Sequence, residues 1–274
     1  MAGTSFIEVG NTGKNLHTHT VTTADGTVHN EVVDMGMDYM QAIASGLVPG
    51  TSCVNKFGLG TVTGTEEIWD GADTVGDYVY MTTASTLYIS SDDAGDGQVY
   101  EVQGLDANLE LQVVEVTASG FNFVALDETW LRVFRAKNLG TTDNAGNIYI
   151  SDDNTDAGGD GVPDTLANVK AQIGIGNNQT LMAIYTVPAG KTAYMTHWGA
   201  SVGKGDDVTI TLVVRPFGGV FQVKDHKDLY QTIAEREFVP YLKILEKEDI
   251  ALKGAIGAAG GQASGSFDLI LVDN

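Results

Sequence analysis

Residues 207–215 read DVTITLVVR and residues 266–273 read SFDLILVD. Both are dominated by β-branched and apolar side chains. Such residues fit a pleated, half-buried surface, whereas the flanking Gly, Asp and Asn favour turns, so both stretches read as strands. The same habit recurs nearby in TLMAIYTV (180–187), TAYMTHWGASV (192–202), FVPYLKILE (238–246) and DIALKGAI (249–256). Earlier come TLYIS (86–90), QVYEVQGL (98–105), LELQVVEVTA (109–118), FNFVAL (121–126) and LRVFRAKNL (131–139). Strands at this spacing predict an all-β, antiparallel β-sandwich or jelly-roll in two strand-rich halves. No helical stretch recurs between them, as a parallel α/β fold would need.

Before Gly60 the chain is rich in Thr, Gly and Asn, which predicts an extended arm. One short helix is expected within it, over DMGMDYMQAIA (34–44): Met37, Met40, Ile43 and Ala44 fall at helical spacing behind Asp34 as N-cap. GLVPG (46–50) reads as a turn. Three segments are expected: an N-terminal arm (1–60), an acidic β-rich domain (61–165) and a C-terminal β-sandwich domain (166–274).

The 274 residues suffice for one large domain or two modest ones. Formal charge is -21, and residues 61–165 hold 3 basic and 20 acidic side chains. Phosphate backbones are bound through Lys and Arg, so nucleic acid is not an expected partner. Burying so many carboxylates in a contact would be costly, so the middle segment is expected to face water or cations. Residues 166–274, with 10 basic and 11 acidic side chains, are the better place for packed interfaces. The N-terminus, MAGTSFIEVGNTGKNLHTHT, has neither a basic start nor a continuous apolar stretch, so no secretory signal is expected. No run of residues is apolar enough to span a bilayer, and no membrane partner is expected. The single Cys53 cannot form an intramolecular disulfide and is expected to be a buried, inert thiol.

The sharpest ligand candidate is DDNTDAGGDGVPD (152–164), where Asp152, Asn154, Asp156 and Asp160 take the first, third, fifth and ninth positions of a calcium loop. Ala157 stands where that loop wants Gly and Pro163 where it wants Glu, so a solvated acidic turn is the alternative. No other cofactor is expected. His17 and His19 would share one side of an extended strand, but two ligands do not define a metal site. GQASGS lacks the GxSxG elbow, and GIGNNQ (174–179) carries Gln179 where a dinucleotide loop needs its third Gly, so the latter reads as a turn between strands. Neighbouring acids such as Glu66–Glu67 and Asp206–Asp207 point to opposite faces of a strand and do not pair for acid–base work. No enzyme is expected. Trp69, Tyr78, Tyr80, Tyr88 and Tyr100 are either a sugar-stacking face or, as their strand-by-strand spacing favours, ordinary packing. LYISSDDAGDG (87–97) is echoed by IYISDDNTDAGGDG (148–161), each a strand running into an acidic, Gly-rich loop.

Several blocks, taken in order, resemble a family of virion structural proteins from tailed phages, particularly those of marine and aquatic bacteria. They are CVNKFGLGTVTGTEEIWDGAD (53–73), YEVQGLDANLELQVVEVTASG (100–120), WLRVFRAKNLG (130–140), NNQTLMAIYTVPAGKTAYMTHWGAS (177–201), VTITLVVRPFGGVFQVKD (208–225) and SFDLILVDN (266–274). The acidic loops at 92–97 and 152–164 and the first 50 residues depart from the family. The resemblance implies a β-sandwich capsid cement, decoration, knob or head-fibre component and brings no catalytic residues. On that basis the chain is expected to reinforce a phage head as a symmetric oligomer, a trimer at lattice three-folds. Its partners would be the major capsid protein and itself, and it would be made in the host cytoplasm and located on the capsid surface. The loop VRPFGGVF (214–221) is the candidate contact, through Val214, Arg215, Phe217, Val220 and Phe221. A glycan-binding fibre or knob, or a tail or connector subunit, is the alternative.

Overall fold

The computed structural model describes residues 4–8, 15–23, 26–32, 39–203, 206–256 and 261–274. The chain divides into two units, Met1–Pro49 and Gly50–Asn274. In the first, β1 (Thr4–Glu8), β2 (Asn15–Thr23) and β3 (Gly26–Val32) form an antiparallel sheet where an extended arm was expected. Helix α1 (Tyr39–Ala44) buries Ala42 and Ile43, while the expected cap Asp34 and Met37 lie outside the described residues. Gly46, at φ 69°, donates to the Ile43 carbonyl at 2.9 Å and ends the helix, and Gly50, at φ 72°, completes the expected turn.

In the second unit the strands are β4 (Thr51–Val62), β5 (Thr65–Glu67), β6 (Tyr88–Ser91), β7 (Val99–Leu105), β8 (Leu111–Thr117), β9 (Val124–Ala125), β10 (Arg132–Asn138), β11 (Ile148–Ser151), β12 (Val169–Ile173), β13 (Ile184–Thr186), β14 (Lys191–Val202), β15 (Asp207–Arg215), β16 (Gln222–Tyr230), β17 (Ile233–Ile244), β18 (Asp249–Ile256) and β19 (Gly261–Asp273). The all-β, antiparallel expectation holds.

Two sheets form the sandwich. One runs β17-β14-β19-β4, and the other β13-β18-β15-β16 with β5 also on β18. Alternate side chains enter the core from each: Ala193, Met195 and Trp198 on β14 and Phe267, Leu269 and Leu271 on β19, with Val208, Ile210 and Leu212 on β15. Glycine sets the closest approach between the sheets: a Cβ on Gly265 of β19 would meet Leu252 of β18 at 2.5 Å, and one on Gly254 of β18 would meet Val62 of β4 at 2.6 Å. The acidic half adds two smaller sheets, β10-β7-β8 and β12-β11-β6-β9. Their core includes Ile89, Tyr100, Val102, Trp130, Ile148, Ile150 and Ile173.

Both expected boundaries are crossed by paired strands. β4, which lies almost wholly before residue 61, is hydrogen-bonded along β19, and β12, after residue 165, pairs with β11 before it. GIGNNQ is a turn between β12 and β13, with Asn177 donating to the Gly174 carbonyl at 3.0 Å.

Candidate functional site

β15 ends at Arg215 because Pro216 cannot continue the ladder, and Gly218, at φ 70°, lets the chain reverse into β16. This reversal walls a cavity of 550 Å³ whose other side comes from Tyr80, Met81, Arg132 and Lys253. The five candidate contact residues divide here. Val214 is buried in the core, Arg215, Phe217 and Phe221 line the cavity, and Val220 projects into solvent at 77% exposure.

The Arg215 guanidinium lies between two rings, 4.1 Å from the Tyr80 centroid and 4.4 Å from that of Phe221, and its Nε donates to Asp249 Oδ2 at 2.9 Å. Arg132 reaches the same ring face region, 5.3 Å from Tyr80 and 5.5 Å from Phe217. Lys253 sits 3.0 Å from Glu67 Oε1 and 3.4 Å from Asp77 Oδ1. Three cations thus face the three acids Glu67, Asp77 and Asp249. The Tyr80 hydroxyl is buried without a hydrogen-bond partner. Burial, with Glu67 and Asp249 nearby, holds its pKa well above the usual tyrosine value. The cleft can receive a ring or a polar group against aromatic walls. Sequence spacing could not assemble it, because Arg132 and Asp249 are 117 positions apart.

The carboxylates of the 152–164 loop are engaged by groups of the chain itself. Asp156 accepts from the Gly159 and Gly161 amides at 2.6 and 2.7 Å, Asp160 accepts from Val162 at 3.2 Å, and Asp152 lies 3.7 Å from Lys170. The bonds of Asp156 and Asp160 use the carboxylates to hold the loop's own backbone, while the Asp152–Lys170 contact is an ion pair. Among the described residues no three His, Cys, Asp or Glu side chains gather to hold a metal. The side chains of His17 and His19 lie outside the described residues. Cys53, expected to be buried, is exposed, because β4 is an edge strand. Trp69, Tyr78 and Tyr100 are core residues, with Trp69 and Tyr78 in edge contact at 5.3 Å. Glu66 and Glu67 part as expected: Glu66 accepts from the Gly64 amide at 3.1 Å, while Glu67 accepts from the Tyr78 amide at 3.0 Å and meets Lys253.

The second surface feature is the β17-β14-β19-β4 sheet. Ile233, Val239 and Tyr241 on β17 and Phe57 on β4 are exposed large apolar residues. A hollow of 140 Å³ is floored by Gly199, Ser201, Ser264 and Ser266 and flanked by Phe57 and Ile233. No described helix is long and apolar enough to cross a membrane.

No family model and no curated protein matches this sequence. Among solved structures the chain is weakly similar to infectious bursal disease virus, Gx strain, with TM-score 0.24 and 10% identity over 100% of this chain and 71% of that one. The VP2 subviral particle of the same virus gives TM-score 0.20 and 12% identity, again over 100% of this chain and 71% of that one.

Proposed function

We propose that this chain is a non-enzymatic virion structural protein that decorates or cements the head of a tailed phage as a symmetric oligomer, most simply a trimer on capsid three-folds. The observation that carries the reading is the uneven distribution of charge within one unit. Residues 61–165 hold 20 acidic and 3 basic side chains, whereas residues 166–274 hold 11 acidic and 10 basic ones and present Ile233, Val239 and Tyr241 to solvent. A hydrated acidic region facing outward and a nearly neutral half available for contact suit a building block of a shell. Binding only to the assembled shell would stabilise it by mass action. The major capsid protein is the partner in this reading, and the protein is made in the host cytoplasm.

A cryo-electron-microscopy reconstruction of the phage particle tests it. Symmetric copies of this chain on the capsid lattice are expected, and density confined to the tail, or none on the particle, overturns the reading. The cleft favours a second reading, a fibre or knob that binds host glycan through Tyr80, Phe217 and Phe221. Sugar binding lost on Phe217→Ala would select it.

A further inference from the structure

We propose that the cleft lined by Arg215, Tyr80 and Phe217 binds a single carboxylate carried on a ring, as in a sugar acid or an aromatic acid. The inference names a ligand class for the cleft of the glycan-binding reading, rests on that reading for the cleft's being a binding site, and does not depend on attachment to a capsid. The cavity volume, 550 Å³, is usual for a small-molecule site.

Hydrogen-bond accounting singles out Arg215. All three nitrogens of the Arg132 guanidinium are engaged: Nε and Nη2 donate to Asp249, and Nη1 to the Met81 and Leu131 carbonyls. Asp249 is withdrawn from solvent and also accepts from Thr186 Oγ1 and Arg215 Nε, which fills the lone pairs of both its oxygens. Arg215 donates to it through Nε alone. Its Nη1 and Nη2 meet no acceptor among the described residues, and its side chain is 18% exposed in the cleft. One carboxylate thus serves two guanidiniums, and the unmatched positive charge lies at the outer end of Arg215. Lys253 adds no free charge, being held by Glu67 and Asp77.

Geometry and charge select the acceptor. The Tyr80 and Phe221 ring centroids are 5.6 Å apart with the planes inclined at 57°, and Arg215 Cζ lies 4.1 and 4.4 Å from them, so the guanidinium is held in the corner that the rings make. A planar fork fixed in this way suits the two coplanar oxygens of a carboxylate. One surplus charge matches a monoanion. A phosphate monoester would bring roughly -1.5 to -2, and a polyanion more, close to Asp77, which is 63% exposed and lines the same cleft. The net charge of -21 does not forbid the contact, because it is screened beyond about 8 Å at physiological ionic strength whereas Arg215 acts at short range.

The walls set the body that carries the carboxylate. Phe217 is 43% exposed, and Val79, which lines the same cleft, is exposed as well. The Pro216–Gly219 turn, closed by the Gly219 amide donating to the Pro216 carbonyl at 2.8 Å, presents the Phe217 ring to the cavity. A ring can therefore stack on aromatic surface while its carboxylate meets Arg215.

The test is saturation-transfer NMR on the full chain with glucuronate, phenylacetate, their neutral counterparts glucose and phenylacetamide, and inorganic phosphate as a bare anion. At least one ring acid is expected to bind at least about ten-fold more tightly than its neutral counterpart and than phosphate, the difference a bidentate charge-assisted contact supplies. Arg215→Lys keeps a charge beside Asp249 but removes the fork, and Phe217→Ala removes an exposed ring. Each is expected to fold, as circular dichroism verifies, and to weaken that acid at least about ten-fold, while Arg135→Lys at an exposed position of β10 leaves it unchanged. Should Arg215→Lys unfold, the Phe217→Ala comparison decides. Tight binding of glucuronate supports both the inference and the glycan reading, and binding of phenylacetate alone supports the inference and sinks the glycan reading. Glucose bound as tightly as glucuronate overturns the inference and leaves the glycan reading standing. Binding of neither acid, phosphate bound as tightly as the acids, or acid binding unchanged in the folded variants overturns the inference.

Discussion

The Arg132 guanidinium meets the Asp249 carboxylate side by side, Nε to Oδ1 at 2.9 Å and Nη2 to Oδ2 at 3.1 Å, with both side chains withdrawn from solvent. Asp249 also accepts from Thr186 Oγ1 at 2.6 Å and Arg215 Nε at 2.9 Å, while Arg132 Nη1 donates to the Met81 and Leu131 carbonyls at 2.7 and 2.8 Å. One carboxylate thus ties β10 of the acidic half to β13, β15 and β18 of the sandwich. Asp249→Asn leaves two guanidiniums without their counter-charge, one of them fully buried. A loss of about 3–5 kcal/mol in urea unfolding is expected. A loss below about 1 kcal/mol would mean that the aromatic faces alone satisfy Arg215.

Gly58 of β4 is required for a different reason. A Cβ there would run into the backbone carbonyl of Ile68 and the backbone amide of Ala183, neither of which can turn aside. Gly58→Ala is therefore expected to cost about 1–3 kcal/mol, with a matching fall in Tm, because backbone must shift to admit the methyl. Gly64→Ala is the control, since a Cβ there meets nothing within 4 Å. Equal effects of the two substitutions would contradict the packing account.

The strands DVTITLVVR and DIALKGAI coincide with β15 and β18 to the residue, because each buries one or both faces and so carries an apolar signal. β16, QVKDHKDLY, carried none: on this edge strand the inward positions over Trp198 are taken by Asp225 and Lys227, and only Leu229 is buried. The echo between 87–97 and 148–161 has a structural counterpart. β6 and β11 pair with Ile89 opposite Ile150, and each continues into the same turn, Ser91 Oγ accepting from the Asp93 amide at 3.1 Å and Ser151 Oγ from that of Asp153 at 3.0 Å. The aromatic cleft was half visible, through Arg215, Phe217 and Phe221. Its counterparts Tyr80, Arg132 and Asp249 are brought there by long-range pairing, which no local spacing encodes.

Two buried charges give stability opposite slopes on the two sides of neutral pH. Burial, helped by Asp77 and opposed by Lys253, pushes Glu67 from 4.5 up to about 7. Between these values the folded state holds more protons than the unfolded one, so this group's contribution falls as pH rises. Burial, with Arg135 nearby, pushes Lys56 from 10.5 down to about 7 against the opposing pull of Asp70, and its ammonium donates to the Phe134 carbonyl. From about 7 to 10.5 the unfolded state holds more protons, so this contribution rises with pH. A Tm series is expected to show Glu67→Gln reducing the fall on the acid side and Lys56→Met reducing the rise on the alkaline side. Slopes unchanged in both variants would show that neither group titrates where burial places it.

Asp96 ties the 92–97 loop to the turn that precedes β11. It is only 1% exposed, and its carboxylate accepts from Ser91 Oγ at 2.6 Å, the Ala145 amide at 2.8 Å and the Gly146 amide at 2.9 Å. The acidity of the 92–97 loop is therefore partly structural: a carboxylate accepts several backbone donors at once where a neutral side chain would leave some unmet. Asp96→Ala strands two amides and is expected to cost roughly 3 kcal/mol. Faster hydrogen exchange should be concentrated at Ala145 and Gly146, while the β14–β19 amides exchange at the wild-type rate until global unfolding. Protection lost uniformly across both halves would instead make Asp96 part of the global core and remove its role as a local tie.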